Sequence, residues 1–333
     1  MALLDDLVSP AQYSTELDKP VLTKLDNLCV YQVTGDDAHS FLQGQFSNDI
    51  EMVNETNAQL TSYSTPKGRM LAIFYVCKRS DHYLLITSRD IADDVMKRLQ
   101  MYVMRSKVVI SKLDNEMVLG LSNDTDGTVL KHLNLPKPES DYQTTSVDNL
   151  ISIQIPGIQS RYLIIGDQAS LAELNHISPE IVYVYTSDYW QWLDIMSGIP
   201  TVTAATQEAF VPQMANMELI NGVSFSKGCY PGQEVVARLH YLGNANRRMF
   251  RVEVQSENDL HSGDEIFTSN SNQAVGKFLS VTKVDNAKYA GLAIVRTEAV
   301  KDKSLYTAPN DGDTVLIMKL PYQVPIEAKE KNN

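Results

Sequence analysis

Ser226-Lys227-Gly228-Cys229-Tyr230-Pro231-Gly232-Gln233-Glu234 is the stretch from which the rest of the chain is read. Gly228, Pro231 and Gly232 mark a tight turn, because glycine reaches backbone conformations closed to other residues and proline fixes its own φ. Pro231 fits the first position of a helix, and the run that follows places Val235, Leu239 and Leu242 on one apolar face. Glu234 and Arg238 then share the opposite face at a spacing of four. Cys229 would precede that helix, at the end where free backbone N–H groups favour negative charge. Residues 226–251 carry Lys227, Arg238, Arg247, Arg248 and Arg251 against Glu234 alone. Two readings of Cys229 follow: a small half-buried residue filling a turn, or a functional thiol in electropositive surroundings. Cys29 and Cys77 lie in strand-like runs and read as core.

A second basic region lacks any acid between Glu55 and Asp81 and carries Lys67, Arg69, Lys78 and Arg79. It is either a solvated hairpin tip or a partner of the 226–251 segment in holding an anionic ligand tail. Both tryptophans fall in a helical run over 188–197. At 100° per residue, Trp192 shares a stripe with Ile195 and Met196 and reads as core. Trp190 points off that stripe, which makes it the candidate for stacking on a flat ligand; the alternative is packing against a neighbouring subdomain.

The chain has 333 residues, 43% hydrophobic and 21% charged, within the globular range. At about 100–200 residues per domain this length predicts two or three domains. The net charge of −12 argues against a general nucleic-acid or anionic-membrane binder, so such contact would need a local basic patch. Three scattered cysteines support neither a disulfide framework nor a zinc knuckle, and they fit a reducing, cytoplasmic setting. The first residues lack a basic segment followed by an apolar one, so no signal peptide is read. No run approaches about 18 apolar residues, so no membrane span is expected. The six histidines show no metal-ligand spacing, and His240 reads as a surface residue. There is neither a phosphate-binding glycine loop nor a Gly-x-Ser-x-Gly elbow.

The pattern of elements predicts an α+β fold. Strands are expected at 28–34, 57–64, 70–78, 82–87, 107–111, 117–122, 150–155 and 160–166, with a turn at Pro66-Lys67-Gly68. A helix over 89–104 shows Ile91, Val95, Leu99 and Val103 at every fourth position, and Asp36 suits the N-cap of a short helix carrying Ala38, Phe41 and Leu42. Polar residues 124–149, with Pro136 and Pro138, read as a loop-rich seam. Beyond residue 246, β-rich runs at 247–254, 264–268, 274–283 and 287–296 predict a small barrel or sandwich. The charged end of the chain reads as disordered.

The octapeptide Lys227–Glu234 resembles the K-G-C-Y-x-G-Q-E signature of the YgfZ family, folate-binding relatives of the glycine-cleavage T-protein, an aminomethyltransferase. The resemblance extends through Phe41-Leu42-Gln43-Gly44-Gln45 with Asn48-Asp49, then Lys67-Gly68-Arg69-Met70. It continues through Trp190 ahead of Gly198-Ile199-Pro200 and Phe210-Val211-Pro212-Gln213 with Asn216.

The resemblance implies a T-protein-like fold: two α+β subdomains around a central folate channel, with a small C-terminal β-barrel. Residues 1–245 would form the folate-binding region, its two subdomains discontinuous with a seam near 115–150; 246–325 would form the barrel and 326–333 a disordered tail. It implies a folate-binding accessory protein, with tetrahydrofolate or a derivative as cofactor and no metal. That protein supports iron–sulfur cluster assembly or repair and thereby tRNA methylthiolation, its partners being iron–sulfur proteins such as the tRNA methylthiotransferase, with no direct general nucleic-acid or membrane contact. By position, Cys229 is the required thiol, with Lys227, Gly228, Tyr230, Gly232, Gln233 and Glu234 shaping its loop. Trp190 would contact folate, and Lys67, Arg69 and Arg238 would meet its anionic tail. A second family tryptophan corresponds to Leu28, a departure. The alternative is a tetrahydrofolate-dependent aminomethyltransferase. T-proteins place a catalytic aspartate where this chain has Gly68-Arg69-Met70-Leu71-Ala72, and no carboxylate stands at Leu71 or Ala72.

Overall fold

The structure is a computed structural model and describes residues 8–10, 13–241, 245–269, 271–302 and 304–325. The expected tail over 326–333 and Leu242 therefore lie outside the described residues. The chain forms two compact units. The first holds the residues up to Gln43, then Asp49–Leu60 and Phe74–Leu193; the second holds Gly44–Asn48, Thr61–Ile73 and the chain from Asp194 on.

In the first unit, β1 (Val21–Lys24), β2 (Leu28–Thr34) and α1 (Ala38–Gln43) come first. β3 (Gln59–Ser64) and β4 (Met70–Arg79) each have residues in both units, and β5 (His82–Ser88), α2 (Arg89–Gln100), β6 (Val109–Lys112) and β7 (Glu116–Ser122) follow in the first. Then follow α3 (Thr128–His132), β8 (Thr144–Val147), β9 (Leu150–Gln154), β10 (Arg161–Asp167), β11 (Tyr183–Tyr185) and α4 (Ser187–Ser197). β4, β5, β2 and β6 are consecutive antiparallel neighbours, with Tyr75 opposite Ile86 and Tyr31 opposite Leu85 and Lys112. A six-stranded sheet takes the order β11-β1-β7-β10-β9-β8, and only the β1–β11 pair is parallel. Strands recurring as antiparallel neighbours beside segregated helices make this an α+β architecture.

Side-chain alternation explains the packing of the six-stranded sheet. Leu119 and Leu121 of β7 and Tyr162 and Ile164 of β10 point into one cluster with Val129 and Leu130 of α3. Gly120 and Arg161 point to the opposite face, where Trp190 of α4 lies directly on Gly120. The Arg161 guanidinium stands 4.8 Å from the Trp190 ring centroid. Trp190 is only 4% exposed, so the off-stripe expectation is corrected: it is not a surface stacking platform. The helix has cover on both sides, for Trp192 is itself buried against Tyr13 and Tyr189, each 5.6 Å away.

Two further expectations are corrected. The 124–149 stretch is not merely a loop, since it contains α3 and β8. Asp124 is buried and accepts from the Val129 and Leu130 amides, which lets a five-residue helix start there. Asp36 does not cap α1, because its carboxylate pairs with Lys107 Nζ at 2.9 Å.

The second unit contains α5 (Gln233–Tyr241), α6 (Thr297–Asp302) and a closed barrel. The barrel strands are β12 (Arg247–Gln255), β13 (Glu265–Thr268), β14 (Ser271–Lys283), β15 (Lys288–Arg296), β16 (Leu305–Tyr306) and β17 (Thr314–Met318), in the order β12-β15-β14-β13-β16-β17. Alternate residues Phe250, Val252 and Val254 point into its core with Ile266, Phe278 and Val315. Closure needs the short β16 and β17, which no strong periodicity announced.

A Cβ added at Gly120 would overlap the Trp190 ring, and the sheet behind it leaves no room to retreat. Gly120→Ala is therefore expected to destabilise the protein by about 1–3 kcal/mol in urea unfolding, with a change in tryptophan fluorescence of the native state.

Candidate functional site

The second unit brings together motifs far apart in the sequence. Lys227 is 92% buried, and its ammonium donates to the carbonyls of Phe46 (2.7 Å) and Asn48 (2.8 Å). It also stands 5.4 Å from the centroid of the Tyr230 ring. Around this point the Gly44–Asn48 segment is sewn to residues 221–224. Asn48 Nδ2 donates to the Asn221 carbonyl, Ser47 Oγ to that of Gly222, and the Ser224 amide to the Ser47 carbonyl. Lys227 therefore acts as a clamp between backbone segments, and its charge is committed to carbonyl oxygens.

Cys229 lies just beyond this clamp and is exposed, while Cys29 and Cys77 are buried. Burial raises the thiol pKa of Cys29 and pushes that of Cys77 up to about 12. Tyr230 is buried beside the clamp, and burial raises its phenol to about 12, so it stays protonated at physiological pH. Among the described residues no group of three His, Cys, Asp or Glu side chains is placed to hold a metal ion.

The placement of Pro231 is corrected. Helix α5 starts at Gln233 rather than at the proline, because Gly232 has a φ of +85° and belongs to the turn. A second reason is close approach. A Cβ on Gly232 would lie 2.6 Å from Gly68 Cα and 2.7 Å from the Thr65 carbonyl oxygen. Gly68 itself has a φ of +73°, and a Cβ there would meet Val235 at 3.1 Å. Two glycines, one in each basic motif, thus let the Pro66-Lys67-Gly68 turn press against the start of α5.

The consequence is a cleft of about 440 Å³. Lys67, Arg69 and Arg238 line it together with Val211, Met214, Val235 and Leu239. The structure therefore brings Lys67 and Arg69 of one basic stretch and Arg238 of the other to one concave surface with an apolar lining, whereas Arg79 pairs with Glu116 in the first unit. Arg69 is held partly by donating from Nη1 to the Ala209 carbonyl, whereas Lys67 and Arg238 are exposed. Glu234 is exposed and makes no ion pair with Arg238 among the described residues, against the expected pairing along the helix. Gln233 is half-buried and its amide donates to the Tyr230 carbonyl, closing the turn. His240 is not a free surface residue; it stacks on Phe225 with centroids 3.7 Å apart.

Residues 210–216 mount α5. Gln213 Nε2 donates to the Val236 carbonyl, Arg248 donates to the Gln213 carbonyl at 2.7 Å, and Asn216 donates to that of Met249. Arg248 also pairs with half-buried Glu218. Sequence reading quoted Gln213 and Asn216 only as motif letters; their burial shows them to be positioning residues. It also missed Arg296, which faces Arg247 across β15 and β12. Trp190 and the half-buried Leu28, opposite Ser88 at the start of β2, belong to the first unit. At the position of the transferase aspartate, Met70, Leu71 and Ala72 are all buried and carry no carboxylate.

Comparison with known proteins bears on the fold. Residues 246–326 match the family described as CAF17, C-terminal beta-barrel domain. The chain is 29% identical over 251 residues to the tRNA-modifying protein YgfZ of Colwellia psychrerythraea strain 34H, covering 75% of this chain and 77% of that one. The chain is thus similar to a YgfZ protein over three quarters of its length and to the CAF17 barrel over its C-terminal part. A crystal structure of the glycine cleavage system aminomethyltransferase T from Bartonella henselae superposes with a TM-score of 0.75 at 13% identity, covering 91% of this chain and 86% of that one. That likeness establishes a T-protein-like fold for this chain.

Replacing Lys227 by Met should remove the two hydrogen bonds to the Phe46 and Asn48 carbonyls and lower stability by about 2 kcal/mol or more in urea unfolding. Gly232→Ala should cost about 1–3 kcal/mol, whereas Gly228→Ala, where an added Cβ meets nothing within 4 Å, should be near neutral.

Proposed function

We propose that this protein is a folate-binding accessory factor that supports iron–sulfur proteins, and thereby tRNA methylthiolation, through Cys229. One observation carries the reading: the only exposed cysteine among the described residues sits in the Lys227-clamped loop whose next turn packs the cationic cleft. A thiol held out by a fixed loop can meet a reduced pterin, a cluster or a partner's thiol. One thiol cannot supply the four cysteine ligands usual for a cluster, so contact with a cluster would be transient or shared. Lys67, Arg69 and Arg238 would receive the carboxylates of the folate tail, with Val211, Met214, Val235 and Leu239 against its aromatic portion. Tetrahydrofolate or a derivative is the proposed ligand. Buried Trp190 has no stacking role in this reading.

The family relative named as a tRNA-modifying protein supports the cellular role. No helix among the described residues is long and apolar enough to cross a membrane. A second reading, tetrahydrofolate-dependent aminomethyl transfer, has the shared fold in its favour. It lacks a carboxylate at Met70-Leu71-Ala72 to orient the reacting folate.

Cys229→Ala should keep the native melting temperature and abolish the support of tRNA methylthiolation in cells carrying only that variant. Normal levels of methylthiolated tRNA would overturn the role of the thiol. Calorimetric titration with tetrahydrofolate should show saturable binding, and Arg238→Gln should weaken it by about tenfold through loss of one charge-assisted contact.

A further inference from the structure

The cations of the cleft continue beyond it. Arg247 and Arg296 occupy directly opposed positions on the antiparallel pair β12–β15, an arrangement that places like charges side by side. Burial first, then the charge of Arg296 and then that of Arg69, a residue of the cleft lining, hold the Arg247 pKa below its ordinary value. Lys67, Arg238, Arg69, Arg247 and Arg296 thus form a contiguous group of cations in a protein of net charge −12. Among the described residues none of the five forms an ion pair. Elsewhere in the same unit the arginines are matched: Arg248 pairs with Glu218, and Arg251 lies 3.9 Å from Glu253. A cluster that repels itself and has no counter-charge gains stability from any anion that spans it.

We propose that Arg69, Arg247 and Arg296 form an anion subsite continuous with the Lys67–Arg69–Arg238 cleft, and that this subsite takes the outer carboxylates of an oligo-γ-glutamyl chain. The inference rests on the folate reading and goes beyond it. A monoglutamyl folate tail ends in two carboxylates, fewer than the cations available. Each further γ-glutamyl residue adds one carboxylate along a flexible backbone, which suits charges strung along a cleft and a strand pair. A long nucleic acid fits less well, because its backbone would run from this patch onto a strongly acidic remainder.

The test compares mono- and pentaglutamyl tetrahydrofolate by calorimetry at about 50 mM salt, where surface charges are weakly screened. The full-length protein should bind the pentaglutamyl form at least about tenfold more tightly. In Arg247→Gln/Arg296→Gln the two affinities should become equal, and the melting temperature should hold or rise because a repulsive pair is gone. Equal affinities in the native protein, or a preference that survives the double substitution, would overturn the subsite. The free γ-glutamyl pentapeptide is the independent probe. Its binding to native protein and not to the double variant would uphold the subsite even where neither folate binds, an outcome that defeats only the folate reading. Failure of the pentapeptide to bind native protein would overturn the subsite. Displacement of the pentapeptide by a short single-stranded RNA of equal charge, with higher affinity at about 0.15 M salt, would assign the cations to nucleic acid and also overturn it.

Discussion

A single buried ammonium holds the candidate site in shape. Lys227 gives up hydration, and the Phe46 and Asn48 carbonyls offset that cost by replacing water at short range. The lysine ties two backbone carbonyls that lie outside the named helices and strands to the loop that carries Cys229. The exposure of Cys229 follows from this arrangement: its loop is fixed by the residue two positions earlier, which leaves the thiol outside rather than folded into the core.

The second constraint is steric. Gly68 and Gly232 touch where any larger residue would force the basic turn away from α5. The cleft exists because both are glycine, and its charge exists because Lys67, Arg69 and Arg238 flank the contact. A chain with an excess of acids can still attract anions when its cations are gathered locally and its carboxylates are kept elsewhere.

Much of this was legible in the residue order. Strand β2 falls on Leu28–Thr34 as its β-branched run predicts, and the barrel strands follow the turn residues that separate them. The two basic stretches were recognisable by their lack of acids, and their meeting was one of two open readings. What periodicity could not convey was cover on two sides. Trp190 lies off the apolar stripe of α4 and is buried all the same, because Gly120 opens a space for it on the opposing sheet. Likewise, Pro231 looked like a helix start, but the positive φ of Gly232 is set by contact with Gly68, a tertiary fact. Arg296 gave no local signal, since only strand register places it beside Arg247.

The clamp itself is most directly tested by amide hydrogen exchange on native protein and Lys227→Met. Protection should fall together at residues 44–48 and 226–232, while the barrel strands around Phe250 and Ile294 keep theirs. Unchanged protection in both segments would contradict the clamp, and so would uniform loss across the whole chain.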